Sequence, residues 1–198
     1  MMEGMFMMNK KESIVQAAVQ VFREKGIEKT KISDIVKVAG IAQGTFYLYF
    51  PSKLALMPAI AEVMVEKTMD IVKETVKEEV SFVSKLEQLV EAIFLVARDY
   101  NEIQALIYSG LASTEHLKEW ETVYAPFYKW TSDLLAEAKV QGVIRSTLKV
   151  DQTAKLLIGL VESAAEQVYL YDVTEEAQVN SQKVEVISFL MHALDVKK

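Results

Sequence analysis

Gln43, Gly44 and Thr45 sit together in the run IAQGTFYLYFPSK, and their side chains suit the reading of bases. A glutamine amide donates to and accepts from one adenine edge at once, while a threonine meets a thymine methyl or a phosphate. The glycine between them lets the backbone come close to a ligand. Hydroxyls and cations flank the trio, with Thr30, Lys31 and Ser33 before it and Tyr47, Tyr49 and Lys53 after it. Groups of that kind bond phosphate oxygens, which sets register on a duplex rather than sequence preference. Phe46 and Phe50 alternate with the tyrosines and are expected to be core.

These residues need two short helices to position them. Ile32, Ile35, Val36 and Ala39 recur at helical spacing. Gly40 follows, where a chain leaving a helix needs tolerance of positive φ. A second helical run from Gln43 to Phe50 starts almost at once. That layout is a helix-turn-helix, whose second helix lies in the major groove with its N-terminal residues on base edges. A first helix, capped by Asn9 with Glu12 in capping-box spacing and closed by Gly26, carries the stripe Ile14, Ala17, Ala18, Val21 and Phe22 and braces the pair.

The ungapped stretch from Thr30 to Lys53, with A-G-I-A-Q-G-T-F-Y-L-Y-F-P-S-K at its centre, resembles the signature of the tetracycline-repressor (TetR) family of one-component bacterial regulators. The resemblance implies DNA contacts at the nine polar and glycine positions named above. It further implies an effector pocket among the fourth to eighth helices and a homodimer formed by the last two. Val36 stands where alanine is commoner. Ala42 stands where a serine or threonine is common, so a hydroxyl that could cap the reading helix is missing.

Charge divides in the same way. The net charge is −6, yet residues 1–58 hold eight Lys and Arg against five Asp and Glu, and residues 59–198 hold 14 against 23. The basic excess coincides with the helix-turn-helix, where attraction to phosphate requires it. Hydrophobic residues make up 51% of the 198, with seven glycines, three prolines and no cysteine, which predicts an all-α chain without disulfides or thiolate sites. No stretch approaches the ~18 apolar residues of a membrane span.

The reading is a three-helix DNA-binding head on a larger helical body, about nine helices in all: a disordered leader over residues 1–8, the head over 9–52 and the body over 53–198. Ser52 is expected to cap a fourth helix reaching about Glu79, bent at Pro58. Ser84 with Glu87 opens a fifth towards Tyr100, and Asn101 opens the next. Pro126 divides a stretch from Thr114 to Val140, and Asp151 caps a helix towards Tyr171. The last helix spans Glu175 to Leu194. Candidate ligand contacts are the aromatics Phe94, Tyr108, Trp120, Tyr124, Phe127 and Tyr128, the side chains that line small-molecule pockets and also fill plain cores. Candidate dimer contacts are Leu156, Leu160, Ser163, Gln167, Ile187 and Met191, because the penultimate helix is too broadly apolar for one buried stripe. Glu162 and Glu166 are expected to be solvated.

A di-metal carboxylate bundle wants Glu-x-x-His pairs, but Ser113 and Phe189 precede His116 and His192 at that spacing. Metal ligands, cofactors and catalytic residues are therefore not expected. The function expected is a cytoplasmic, homodimeric repressor that binds a palindromic double-stranded DNA operator and is released by a lipophilic small-molecule effector, without a membrane partner. The alternatives are the same fold without an effector, an activator, and, more distantly, a helical-bundle enzyme.

Overall fold

The computed structural model describes residues 10–111, 120–169 and 175–197, without the side chains at 106, 108–111 and 120. The described residues are helical throughout their regular elements: α1 (Lys10–Lys25), α2 (Ile32–Ala39), α3 (Gln43–Tyr47), a 3-10 turn at Leu54–Leu56, α4 (Met57–Thr75), α5 (Phe82–Leu111), α6 (Trp120–Val140), α7 (Val150–Tyr169) and α8 (Glu176–Leu194). The expected all-α class is observed. The count of about nine is reached by taking α5 as two runs, since Tyr100 leaves helical geometry at φ −128 and ψ 19. Asn9, His116 and the segment from Thr114 to Glu119 lie outside the described residues.

Two compact units emerge. The first takes the described residues within Met1–Val63 and Glu102–Trp120, the second those within Met64–Asn101 and Glu121–Lys198. In the first, α1 packs on α2 and α2 on α3. Ile14, Val15, Ala18, Phe22, Ile35, Phe46, Phe50 and Leu56 form its core. Gly40 ends α2 at φ 67 and ψ 32, with its N–H on the Val36 carbonyl. Both Phe46 and Phe50 are buried, as expected. The reading helix is shorter than the sequence predicts. After Tyr47 the backbone continues as tight turns, with Phe50 N–H on the Phe46 carbonyl, because Pro51 disfavours helical geometry at the residue before it.

The prolines also differ from expectation. Pro58 is the second residue of α4, directly after the 3-10 turn, where the Leu54 carbonyl is already taken by the Met57 N–H, so its missing donor leaves no carbonyl empty. Pro126 lies inside an unbroken α6. Its missing donor frees the carbonyl of Thr122, and since both residues are exposed, water can satisfy that oxygen. The fourth helix stops at Thr75, and Ser81 rather than Ser84 caps α5, accepting the Ser84 N–H at 3.2 Å. Asp151 is a first-turn residue of α7, not its cap, and its carboxylate accepts from the Ser132 hydroxyl.

In the second unit α7 packs on α8. Leu157, Ile158, Val161, Ala164, Ala165 and Val168 face inward from α7. Val179, Val186, Leu190 and Leu194 do so from α8.

Replacing Gly40 by valine is expected to lower stability by well over ~1 kcal/mol, since a β-branched residue is disfavoured at positive φ. A Cβ there would meet nothing within 4 Å, so backbone strain alone is responsible. Gly40→Asn should then recover much of the loss in urea unfolding, because asparagine tolerates the left-handed region.

Candidate nucleic-acid interface

The reading face is built by burial of its opposite side. With Phe46 and Phe50 held in the core, Gln43, Gly44, Tyr47, Leu48 and Tyr49 are turned outward, and Thr45 is half-buried. The Tyr47 ring stands edge-on to Phe46 at 5.6 Å, which orients it while leaving it half exposed. Ala42 begins α3 in extended geometry without a side-chain cap, as its missing hydroxyl implies. Lys31 and Ser33 at the start of α2 are exposed. No acidic residue occurs from Ile35 to Ala61. The nearest before that run, Asp34, accepts the Lys31 N–H at 3.0 Å and pairs with Lys25 at 3.1 Å. That backbone hydrogen bond, then the lysine, holds its carboxyl below the usual range. That carboxylate thus caps a helix and is paired with a cation.

Two residues expected at phosphate have protein partners in this structure. Thr30 is buried, and its hydroxyl donates to the Gly26 carbonyl at 2.7 Å, a group left without a helical partner at the end of α1. Lys53 is also turned inward. Its ammonium donates to the carbonyls of Ile27, Thr30 at 2.8 Å and Glu28 at 3.3 Å. Three donors meet three acceptors, so no proton is left for phosphate in this arrangement. Ser52 accepts the Ala55 N–H at 3.2 Å and starts the turn that carries the lysine.

The remaining candidates separate as well. Phe94 and Phe127 are fully buried, which makes them core side chains in this structure. Lys183 lies 5.6 Å over the Phe94 ring and pairs with Glu91 at 2.6 Å, and Tyr169 meets that ring at 6.3 Å. The Tyr124 and Tyr128 rings meet at 5.6 Å, tilted by 42°, with Lys155 5.0 Å over Tyr128. Side chains of Tyr108 and Trp120 lie outside the described residues. Glu162 is half-buried, not fully solvated as expected. Tyr124 donates to its carboxylate at 2.9 Å, and burial pushes its carboxyl up to about 7, with the Tyr124 bond opposing and Glu166 adding to the rise. Of the dimer candidates, Leu156, Ser163 and Gln167 are exposed and Leu160, Ile187 and Met191 half-buried. Val184 and Phe189 on α8 are exposed too and were missed, although their apolar character on a helix already supplied with Val186 and Leu190 marks a second apolar side. Among the described residues no group of His, Cys, Asp and Glu could hold a metal ion.

Two family models match this arrangement. One, described as bacterial regulatory proteins of the tetR family, covers residues 14–60, and the other, the tetracyclin repressor-like C-terminal domain, covers 86–194. The chain belongs to the TetR family. A TetR-family relative from Bacillus subtilis, the uncharacterized HTH-type transcriptional regulator YvdT, is 40% identical and covers 93% of this chain and 95% of its own. The fatty acid metabolism regulator protein of the same organism is 26% identical over 75% of this chain and 78% of its own. A solved structure of FadR from Bacillus subtilis in complex with stearoyl-CoA shares the fold at TM-score 0.73 and 21% identity, covering 90% and 96% of the two chains. This TetR-family protein is accordingly a DNA-binding transcriptional regulator of helix-turn-helix type. Among its described residues no helix is long and apolar enough to cross a membrane.

Two substitutions probe these placements. Lys53→Ala is expected to destabilise the fold by about 1–3 kcal/mol, through loss of charge-assisted hydrogen bonds, while leaving the salt dependence of DNA binding unchanged. Unfolding in urea and the slope of log K against log salt measure the two effects. For Glu162, a carboxyl raised from 4.5 to about 7 keeps its proton longer in the folded state. Stability is therefore lost as pH rises between those values and stays lower above them. Glu162→Gln should raise the melting temperature at pH 8, with a gain in stability of at most about 3 kcal/mol, and the advantage should vanish below pH 4.5.

Proposed function

We propose that this regulator is a repressor that binds a palindromic operator as a homodimer in the cytoplasm and lets go when its body takes up a lipophilic small molecule. The acid-free, outward-turned face of Gln43, Gly44, Tyr47 and Tyr49 carries the DNA half of the reading. Gln43 and Thr45 read bases, while Lys31, Ser33, Tyr47 and Tyr49 bond phosphates.

Dimerisation is supported by the outer side of α7 and α8. Leu156 is 75% exposed, Val184 66% and Phe189 59%, and Leu160, Ile187 and Met191 add to the same two helices. Gly159 and Ser163, both exposed, allow close approach of a second helix. A two-fold pairing through this side gives the symmetry that a palindrome mirrors.

The effector half draws on relatives named for fatty acid metabolism, one of them solved with stearoyl-CoA. An effector preferring the DNA-incompetent state 100-fold weakens operator binding by at most about 2.7 kcal/mol per coupled site, so two sites suffice for a near-complete switch. Α4 and α5 both run from one compact unit into the other, and the Tyr100 break falls beside one of those crossings, so both helices are candidates to carry the change.

Selection of bound sequences from a random DNA pool tests the reading. A palindrome with half-sites about a helical turn apart is expected. Absence of any enriched sequence would overturn it.

A further inference from the structure

Leu48 is 81% exposed, although it lies between the buried Phe46 and Phe50. It follows Gly44 by one helical turn, so the two share a side of the reading segment with Gln43 and Tyr47. The space where a Cβ of Gly44 would stand is open, with nothing within 4 Å. The outward face is therefore stepped: a gap at Gly44 and an apolar ledge at Leu48. Its neighbours Tyr47 and Tyr49 each end in a hydroxyl that can serve a phosphate. A leucine has no such group, and in a DNA groove it gains only by covering apolar surface. The major groove offers one apolar feature on its base edges, the thymine C5-methyl.

We propose that Leu48 is a specificity-determining residue that covers a thymine methyl in each half-site of the operator. The proposal rests on the DNA-binding reading above and sharpens it. Gln43 recognises an adenine edge by hydrogen bonds, and Leu48 adds a contact of a different kind about one turn along the segment. The absence of acidic residues from Ile35 to Ala61 removes the repulsion that would keep the ledge from the groove floor. A protein partner on the same leucine would predict instead that the side chain has no influence on DNA choice.

The test uses the full-length protein and the sequence it selects from a random pool. Each thymine of a half-site is replaced by uracil, which removes only the methyl, symmetrically in both half-sites, and affinity is measured by fluorescence anisotropy. Wild-type protein is expected to lose about fivefold per methyl at one position, while Leu48→Ala binds the thymine and uracil forms equally well. An unchanged melting temperature of the variant, expected for so exposed a residue, shows that folding is not the cause. Selection that enriches a sequence insensitive to uracil at every position would overturn the role of Leu48 alone. So would retention of the thymine preference by Leu48→Ala. Failure to enrich any DNA would overturn the DNA-binding reading itself.

Discussion

The ammonium of Lys53 holds the loop between α1 and α2 to the start of the chain's fourth helix by donating to the carbonyls of Ile27, Glu28 and Thr30. Those carbonyls lie where α1 has ended at Gly26 and α2 has not begun, so no helix supplies them with donors. One charged group satisfies them together and brings residues 27–30 against residue 53. The Thr30 hydroxyl completes the arrangement on the Gly26 carbonyl. With both ends of the α2–α3 pair tied in this way, Phe46 and Phe50 can be driven inward, and the reading face has no choice but to point out. Exposure of the DNA-reading residues is thus a consequence of what the other residues do in the core.

The second unit is organised by a different constraint, the disposal of polar groups in a helical core. Glu162, half-buried, accepts from Tyr124, and Ser132 bonds Asp151, each joining α6 to α7. Thr131 is buried on α6 with a hydroxyl that has no partner. Unpartnered buried groups are costly. The outer sides of α7 and α8, in contrast, leave large apolar residues in water, a cost that pairing with a second copy would remove.

Much of the head was legible from residue types. Gly40 at a helix end required positive φ, and it has it. The alternation of Phe46 and Phe50 with tyrosines located core and surface correctly. Where the reading failed, the reason is that one residue type serves two ends. A lysine ammonium bonds a phosphate or a backbone carbonyl equally well, and nothing local to Lys53 tells that the loop at residue 27 lies within its reach. A threonine beside a basic helix is as suited to capping as to DNA contact. Prolines misled for a related reason: the damage done by a missing donor depends on whether its carbonyl partner is in water, which sequence spacing does not report.

Residue types and their spacing were enough for the all-α class, the head at the basic end, the glycine turn and the residues able to read bases, because helical periodicity and side-chain chemistry are local properties. Which cations and hydroxyls are turned to solvent follows from packing across the head. Packing also sets the half-burial of Glu162, the outward stance of Leu48 between two buried phenylalanines, and the continuity of α6 through Pro126. Each of those outcomes depends on groups distant in the chain, or on exposure, and so on packing that no single stretch encodes.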